Sequence, residues 1–131
     1  MDIATRTNLE ILEALTEAFN RQDAEAATAL MAEDCVYLAS FGPEPDGTTF
    51  RGREEVRRGF HALVETYPDL EYKELRVFVD GDRGAAQWTM TGTDSRTGER
   101  VAIRGCDLFE FVDGKITRKD AFRKERREGL G

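Results

Sequence analysis

The sequence predicts an α+β fold in which three N-terminal helices pack in the concave face of a curved antiparallel or mixed sheet. Three observations predict it. Apolar residues recur at three-to-four spacing in the first half of the chain and at alternate positions in the second half, the periods of helix and strand. Short turn sequences, Asp80-Gly81-Asp82-Arg83, Asp94-Ser95-Arg96-Thr97-Gly98 and Asp113-Gly114, separate the alternating stretches, so successive strands join as hairpins. A chain of 131 residues with 40 % hydrophobic content suffices for one core and not for two, so residues 1–131 are expected to form a single domain.

The first helix is expected over residues 7–21, where Leu9, Leu12, Leu15, Ala18 and Phe19, with Ile11 beside them, form one stripe. It ends at Asn20-Arg21-Gln22-Asp23. Asp23 can cap a second, alanine-rich helix over residues 24–31, packed through Ala27, Leu30 and Met31. Cys35-Val36-Tyr37-Leu38-Ala39 is short and apolar and reads as a strand. The loop Gly42-Pro43-Glu44-Pro45-Asp46-Gly47 stops it and, flanked by Phe41 and Phe50, is expected at a pocket mouth, as a lid or as ordinary surface. A third helix follows Gly52, buries Val56, Phe60, Leu63 and Val64, and ends at Tyr67-Pro68, because a residue before proline avoids the helical region. Strands are expected over residues 72–79, 84–93, 100–112 and 115–122.

A net charge of −7 and a pI near 4.8 argue against nucleic acid or an anionic membrane as a partner. The charge is uneven. From Lys115 onward, Lys115, Arg118, Lys119, Arg123, Lys124, Arg126 and Arg127 outnumber Asp120, Glu125 and Glu128, which reads as a solvated terminus or as a basic segment meeting acidic surface. Cys35 and Cys106 lie in apolar stretches and are expected as buried thiols. His61 is the single histidine, so no multi-histidine metal site is expected, and no other cofactor. No apolar run approaches the roughly 18 residues of a membrane span and no leader precedes the first helix, so the expected location is cytoplasmic.

One residue breaks the strand pattern. From Val101 to Phe111 every second residue is apolar or glycine except Asp107, which should therefore face the same interior as Ile103 and Phe109. A carboxylate there costs several kcal/mol unless it is hydrogen-bonded, paired or protonated, and sequences tolerate the cost mostly at sites that use it. The structural alternative is a hydrogen bond to a strand edge or helix terminus. The same alternation turns Tyr37 and Ala39 inward from the first strand, Trp88, Met90 and Gly92 from the third, and Thr117, Lys119, Ala121 and Arg123 from the last. If Lys119 reaches Asp107, the pair is an ionised clamp or an acid-base couple suited to an anionic or enolisable ligand. If it turns to solvent, Asp107 is an isolated acid suited to a neutral carbonyl compound.

The Asn20-Arg21-Gln22-Asp23 turn, the ALMAEDCVY helix-to-strand junction, the FRGREEVRRGF helix start and the GCDLFEFVDGKI hairpin together resemble the nuclear transport factor 2-like superfamily, which includes ketosteroid isomerases and SnoaL-like polyketide cyclases. The resemblance implies a cone-shaped α+β barrel and a homodimer through the outer sheet face. Asp107-Leu108-Phe109-Glu110-Phe111 is similar to the aspartate-x-Phe-x-Phe strand of ketosteroid isomerases, which implies a protonated carboxyl donating a hydrogen bond to an enolate oxygen. The tyrosine donor of those enzymes falls at about Leu15 and their general-base aspartate at about Ala39. Neither residue can do that work, so the standard isomerase mechanism is not expected. The last-strand aspartate of epoxide hydrolases and many SnoaL-like members falls at Ala121, one residue from Asp120.

The expectation is therefore a small-molecule-binding protein with a hydrophobic pocket. It acts as a cofactor-independent isomerase, cyclase or dehydratase on a hydrophobic carbonyl compound through acid-base chemistry at Asp107, or as a non-catalytic ligand-binding or dimerisation module. Asp107, Tyr37 and Lys119 are the candidate catalytic residues. Ala39, Phe41, Phe60, Trp88, Met90, Ile103, Phe109 and Arg123 are the candidate pocket residues. Tyr37 could supply the hydroxyl that Leu15 lacks.

Overall fold

Thr7 and Glu10 open the first helix reciprocally in the computed structural model, which describes residues 7–126. The Thr7 hydroxyl accepts the Glu10 backbone N–H at 3.1 Å, and the Glu10 carboxylate accepts the Thr7 N–H at 2.8 Å. Helix α1 (Asn8–Asn20) then buries Ile11, Leu12, Leu15, Ala18 and Phe19. Asp23 caps α2 (Ala24–Ala29) by accepting the Ala26 N–H at 2.9 Å.

The second helix is shorter than its composition predicts, and Met31 belongs instead to strand β1 (Met31–Leu38). Tertiary bonds take the carbonyls a longer helix would have left at its end. The Leu30 carbonyl accepts the Ile116 N–H at 3.0 Å, and the Met31 carbonyl accepts the Arg53 guanidinium at 2.8 and 3.2 Å. The sequence reading also lacks β2 (Thr49–Arg51), a three-residue strand that folds back on β1 with Phe50 beside Tyr37. Helix α3 (Gly52–Thr66) has no side-chain cap of its own, although the Glu55 carboxylate takes the Arg51 N–H at 2.9 Å.

Strands β3 (Glu71–Asp80), β4 (Arg83–Thr93), β5 (Arg100–Val112) and β6 (Lys115–Arg123) complete one curved, open sheet in the order β2-β1-β6-β5-β4-β3. All neighbours are antiparallel except β1 and β6, which run parallel. Helix α3 packs on β1 and α1 on β3, so the helices fill the concavity from both ends of the sheet. Between them lies an aromatic core. The Phe19 and Phe60 rings meet edge to face at 5.0 Å, Phe60 meets Tyr37 at 5.2 Å, and Tyr72 meets Trp88 at 5.0 Å.

A bulge in β6 explains why its apolar residues alternate poorly. Phe111 pairs with Ile116 but Glu110 pairs with Arg118, so Thr117 is an extra residue that resets the alternation. Ile116 and Lys119, three apart, can then share the interior face, where they are 0 % and 3 % exposed. On the outer face Phe78, Leu108 and Phe122 remain exposed, on the side where the resemblance implies a dimer contact. Cys106 is half-buried, not buried as expected, because β5 turns it to that face. Of the basic terminus, Arg127 and Glu128 lie outside the described residues. Among the described residues no helix is long and apolar enough to cross a membrane.

Candidate functional site

Small residues make the space in which Asp107 sits. Its direct cross-strand neighbours are Ala86 on β4 and Ala121 on β6, so larger side chains can reach its carboxylate from diagonal positions. Trp88 donates its indole N–H to Oδ2 at 2.9 Å, and Lys119 donates from Nζ to Oδ1 at 3.1 Å. Gly105 stands opposite Trp88 because a Cβ there would lie 2.5 Å from the indole Cη2 and 2.4 Å from the Phe122 carbonyl oxygen. Indole and ammonium only donate, so both Asp107 oxygens act as acceptors. In the isomerase strand that Asp107 resembles, the carboxyl donates.

The Asp107–Lys119 pair is deeply buried, with the two residues 5 % and 3 % exposed. The remaining space at the carboxylate, bounded by Leu15, Phe19, Trp88 and Phe109, is about 10 Å³, at the lower limit for one water. Aromatic faces surround the ammonium: Nζ lies 4.8 Å from the Tyr37 ring centroid, 5.8 Å from Phe19 and 5.9 Å from Phe60. Burial, the largest influence on Lys119, favours its neutral form. The Asp107 charge, the Tyr37 hydroxyl and the hydrogen bond together outweigh burial and raise its pKa above the ordinary lysine value.

The roomier cavity lies elsewhere. About 260 Å³ opens between the β1–β2 hairpin and α3, lined by Tyr37, Phe41, Phe50, Leu63, Tyr67 and Arg123, with Arg96 also at its wall. Small residues again create the volume: Gly59 and Ala62 of α3 face it, and a Cβ on Gly59 would come within 3.1 Å of the Phe50 ring. Phe41, 61 % exposed, belongs to its open side. Tyr37 connects the two regions, stacking on Phe50 at 5.4 Å while Lys119 approaches its ring. Desolvation raises the Tyr37 pKa, opposed by the charge of Lys119 and reinforced by that of Asp107, so the hydroxyl is a neutral donor at pH 7.

The sequence-predicted residues thus divide. Tyr37, Phe41 and Arg123 line the 260 Å³ cavity. Asp107, Lys119, Trp88 and Phe109 border the small void. Ala39, Phe60 and Met90 are buried in the core and line neither. Ile103 borders a shallow groove at the sheet end, with Val101 and Arg123. Phe50, expected beside the pocket mouth, lines the cavity as well, and Tyr67 and Arg96 were not anticipated as lining. The available signal was a glycine and an alanine, Gly59 and Ala62, inside an otherwise bulky helix.

Asp94 braces the wall that carries Arg96. Its carboxylate accepts Arg96 Nε at 3.0 Å, the second guanidinium nitrogen at 2.8 Å and the Arg96 backbone N–H at 2.9 Å. These bonds, led by the guanidinium, hold its pKa at about 2. A depressed carboxyl pKa gives stability that is present above the unfolded value and lost as pH falls through the folded one. A carbon-detected NMR titration is expected to give an Asp94 midpoint near 2. Asp94→Asn should lower stability at pH 7, and the difference from the parent should shrink below about pH 4.

Helices seated in a curved, open six-stranded sheet, with a cavity between α3 and the β1–β2 hairpin, define a protein of the nuclear transport factor 2-like fold. The chain belongs to the SnoaL-like domain family, whose pattern matches residues 12–119. Among solved structures it is similar to a candidate polyketide cyclase of Xanthomonas campestris pv. campestris, with 25 % identity over 86 % of this chain and 87 % of that one and a TM-score of 0.76. An NTF2-like protein of unknown function from Mesorhizobium loti is 27 % identical over 95 % and 97 % of the chains, with a TM-score of 0.76. A protein of ketosteroid isomerase-like fold from Catenulispora acidiphila, in complex with trimethylamine, shares the fold at 19 % identity, 88 % and 86 % coverage and a TM-score of 0.77. No curated protein matches the sequence.

Proposed function

We propose that this protein binds a small, largely apolar molecule in the cavity between the β1–β2 hairpin and α3, with the Tyr37 hydroxyl donating a hydrogen bond to a carbonyl oxygen. One observation carries the reading: Tyr37, whose hydroxyl has no hydrogen-bond partner among the described residues, lines a mostly apolar cavity of about 260 Å³. At about 30 Å³ per water that volume holds roughly nine waters, enough for a one- or two-ring ligand. The test is a titration with 2-tetralone followed by the methyl resonances of Leu63 and Ala62. Saturable shifts are expected, and Tyr37→Phe should weaken binding roughly fivefold, the worth of about 1 kcal/mol for one neutral hydrogen bond. Methyl resonances that stay fixed at millimolar ligand would refute the pocket.

A reaction of the isomerase or cyclase type is the second reading, favoured by the buried Asp107–Lys119 pair beside Tyr37 and by similarity to the Xanthomonas candidate cyclase. In it Tyr37 passes its proton toward the carbonyl oxygen as a water molecule takes the proton from the neighbouring carbon, Lys119 stabilises the negative charge left on the phenolic oxygen, and Asp107 acts by holding Lys119 in place; the reverse transfers return both protons. The same sample in D₂O reads it. Deuterium entering the carbon beside the tetralone carbonyl faster than in buffer, and lost in Tyr37→Phe, is expected of an enzyme; exchange at the buffer rate leaves a binding protein.

A further inference from the structure

The charged side chains lining the cavity are Arg96 and Arg123, both cationic. Arg96 is committed, because its fork is closed on Asp94 at 3.0 and 2.8 Å. Arg123 is not. It ends β6 half-buried, donates from Nε to the Ser40 hydroxyl at 2.7 Å, and forms no ion pair with any described residue. Other arginines without an ion pair exist, but of the two that line this cavity Arg96 meets a carboxylate and Arg123 does not. The nearest acids on its strand and the next are otherwise engaged: Asp107 holds Lys119, and Asp120 pairs with Arg118.

The placement has a topological cause. Strands β1 and β6 run parallel with Tyr37 beside Lys119, so Ser40, two residues beyond the end of β1, and Arg123, the last residue of β6, emerge together. Ser40 anchors Nε and leaves the two terminal nitrogens of the guanidinium as a fork, the geometry that takes both oxygens of a carboxylate. Arg104 and Lys124 border one adjoining groove with Arg123, while Glu99 and Glu125 share a second groove with it, so the preference for an anion rests on the Arg123 fork itself.

We infer that the ligand of this cavity carries an anionic group, a carboxylate in its simplest form, and that Arg123 is the residue that selects for it. The inference rests on the binding reading above and adds the class of ligand: an apolar body held by Phe41, Phe50 and Leu63, with an acid group on Arg123. Calorimetric titration with 2-naphthoate and with its neutral counterpart 2-naphthalenemethanol tests it, with the Leu63 methyl shifts locating each probe. The parent protein should prefer naphthoate by about tenfold or more, as expected for a charge-assisted hydrogen bond. Arg123→Met should erase most of that preference while changing the alcohol's affinity far less. Arg123→Lys, which keeps the charge without the fork, should retain part of it. Equal binding of both probes by the parent, or a preference that survives Arg123→Met, overturns the inference and leaves the pocket standing. Binding of neither probe overturns both.

Discussion

Lys119→Met is expected to destabilise the fold by about 3–5 kcal/mol, because it removes one partner of a buried ion pair and leaves the other charge in place. Asp107 is 5 % exposed and would retain only the Trp88 N–H, in a site with almost no room for water. The loss is comparable with the whole stability of a small domain, roughly 5–15 kcal/mol, so the variant is best measured by urea unfolding at low temperature. Asp107→Asn combined with Lys119→Met keeps an acceptor for Trp88 and removes both charges. It should recover more than half of the loss, and the double-mutant cycle isolates the pairwise term. A single variant that loses less than about 1 kcal/mol would show that the pair contributes little. The pH dependence has a definite sign. The folded pKa of Lys119 is raised, so its contribution is complete below the ordinary lysine value of about 10.4 and fades as pH rises through the folded one. Parent and Lys119→Met should converge in strongly alkaline solution and stay apart at pH 7.

Phe60→Ala is expected to cost about 3–5 kcal/mol, from lost transfer energy and from the void left behind. Phe60 is 0 % exposed, and its ring meets Phe19 at 5.0 Å and Tyr37 at 5.2 Å while forming part of the aromatic surround of Lys119. The helix above and the sheet below are held by other contacts, so neither can close fully on the gap. Phe60→Leu, at about 1–2 kcal/mol, keeps the variant folded and the comparison usable. A loss below about 2 kcal/mol for the alanine variant would mean that the Phe19 and Tyr37 rings collapse into the space.

Much of the fold is legible along the chain. Leu12, Leu15 and Phe19 announce α1 by their spacing, and the Asp-Gly turns announce the hairpins, because helix and strand periods are local properties of the backbone. What escaped are features with distant partners. Strand β2 has three residues, too few for any period, and exists because Phe50 finds Tyr37 across the hairpin. Met31 leaves its alanine-rich helix because Ile116, far along the sequence, offers a strand to pair with. The bulge at Thr117 is invisible in composition, yet it decides that Ile116 and Lys119 share the interior.

The candidate site divides in the same way. Asp107's inward direction follows from alternation alone, and the family from the order of motifs. Its partners and the open space do not. Whether the carboxylate meets Lys119, water or a ligand depends on Ala86 and Ala121 across the sheet, and the 260 Å³ cavity depends on Gly59 and Ala62 facing the β1–β2 hairpin. Period and polarity are carried by neighbours along the chain, so the sequence by itself determined the helices, most strands and one polar residue in an apolar stripe. Volume is what remains after elements far apart in sequence have packed, so only the tertiary structure decided that the room lies beside Tyr37 and Arg123.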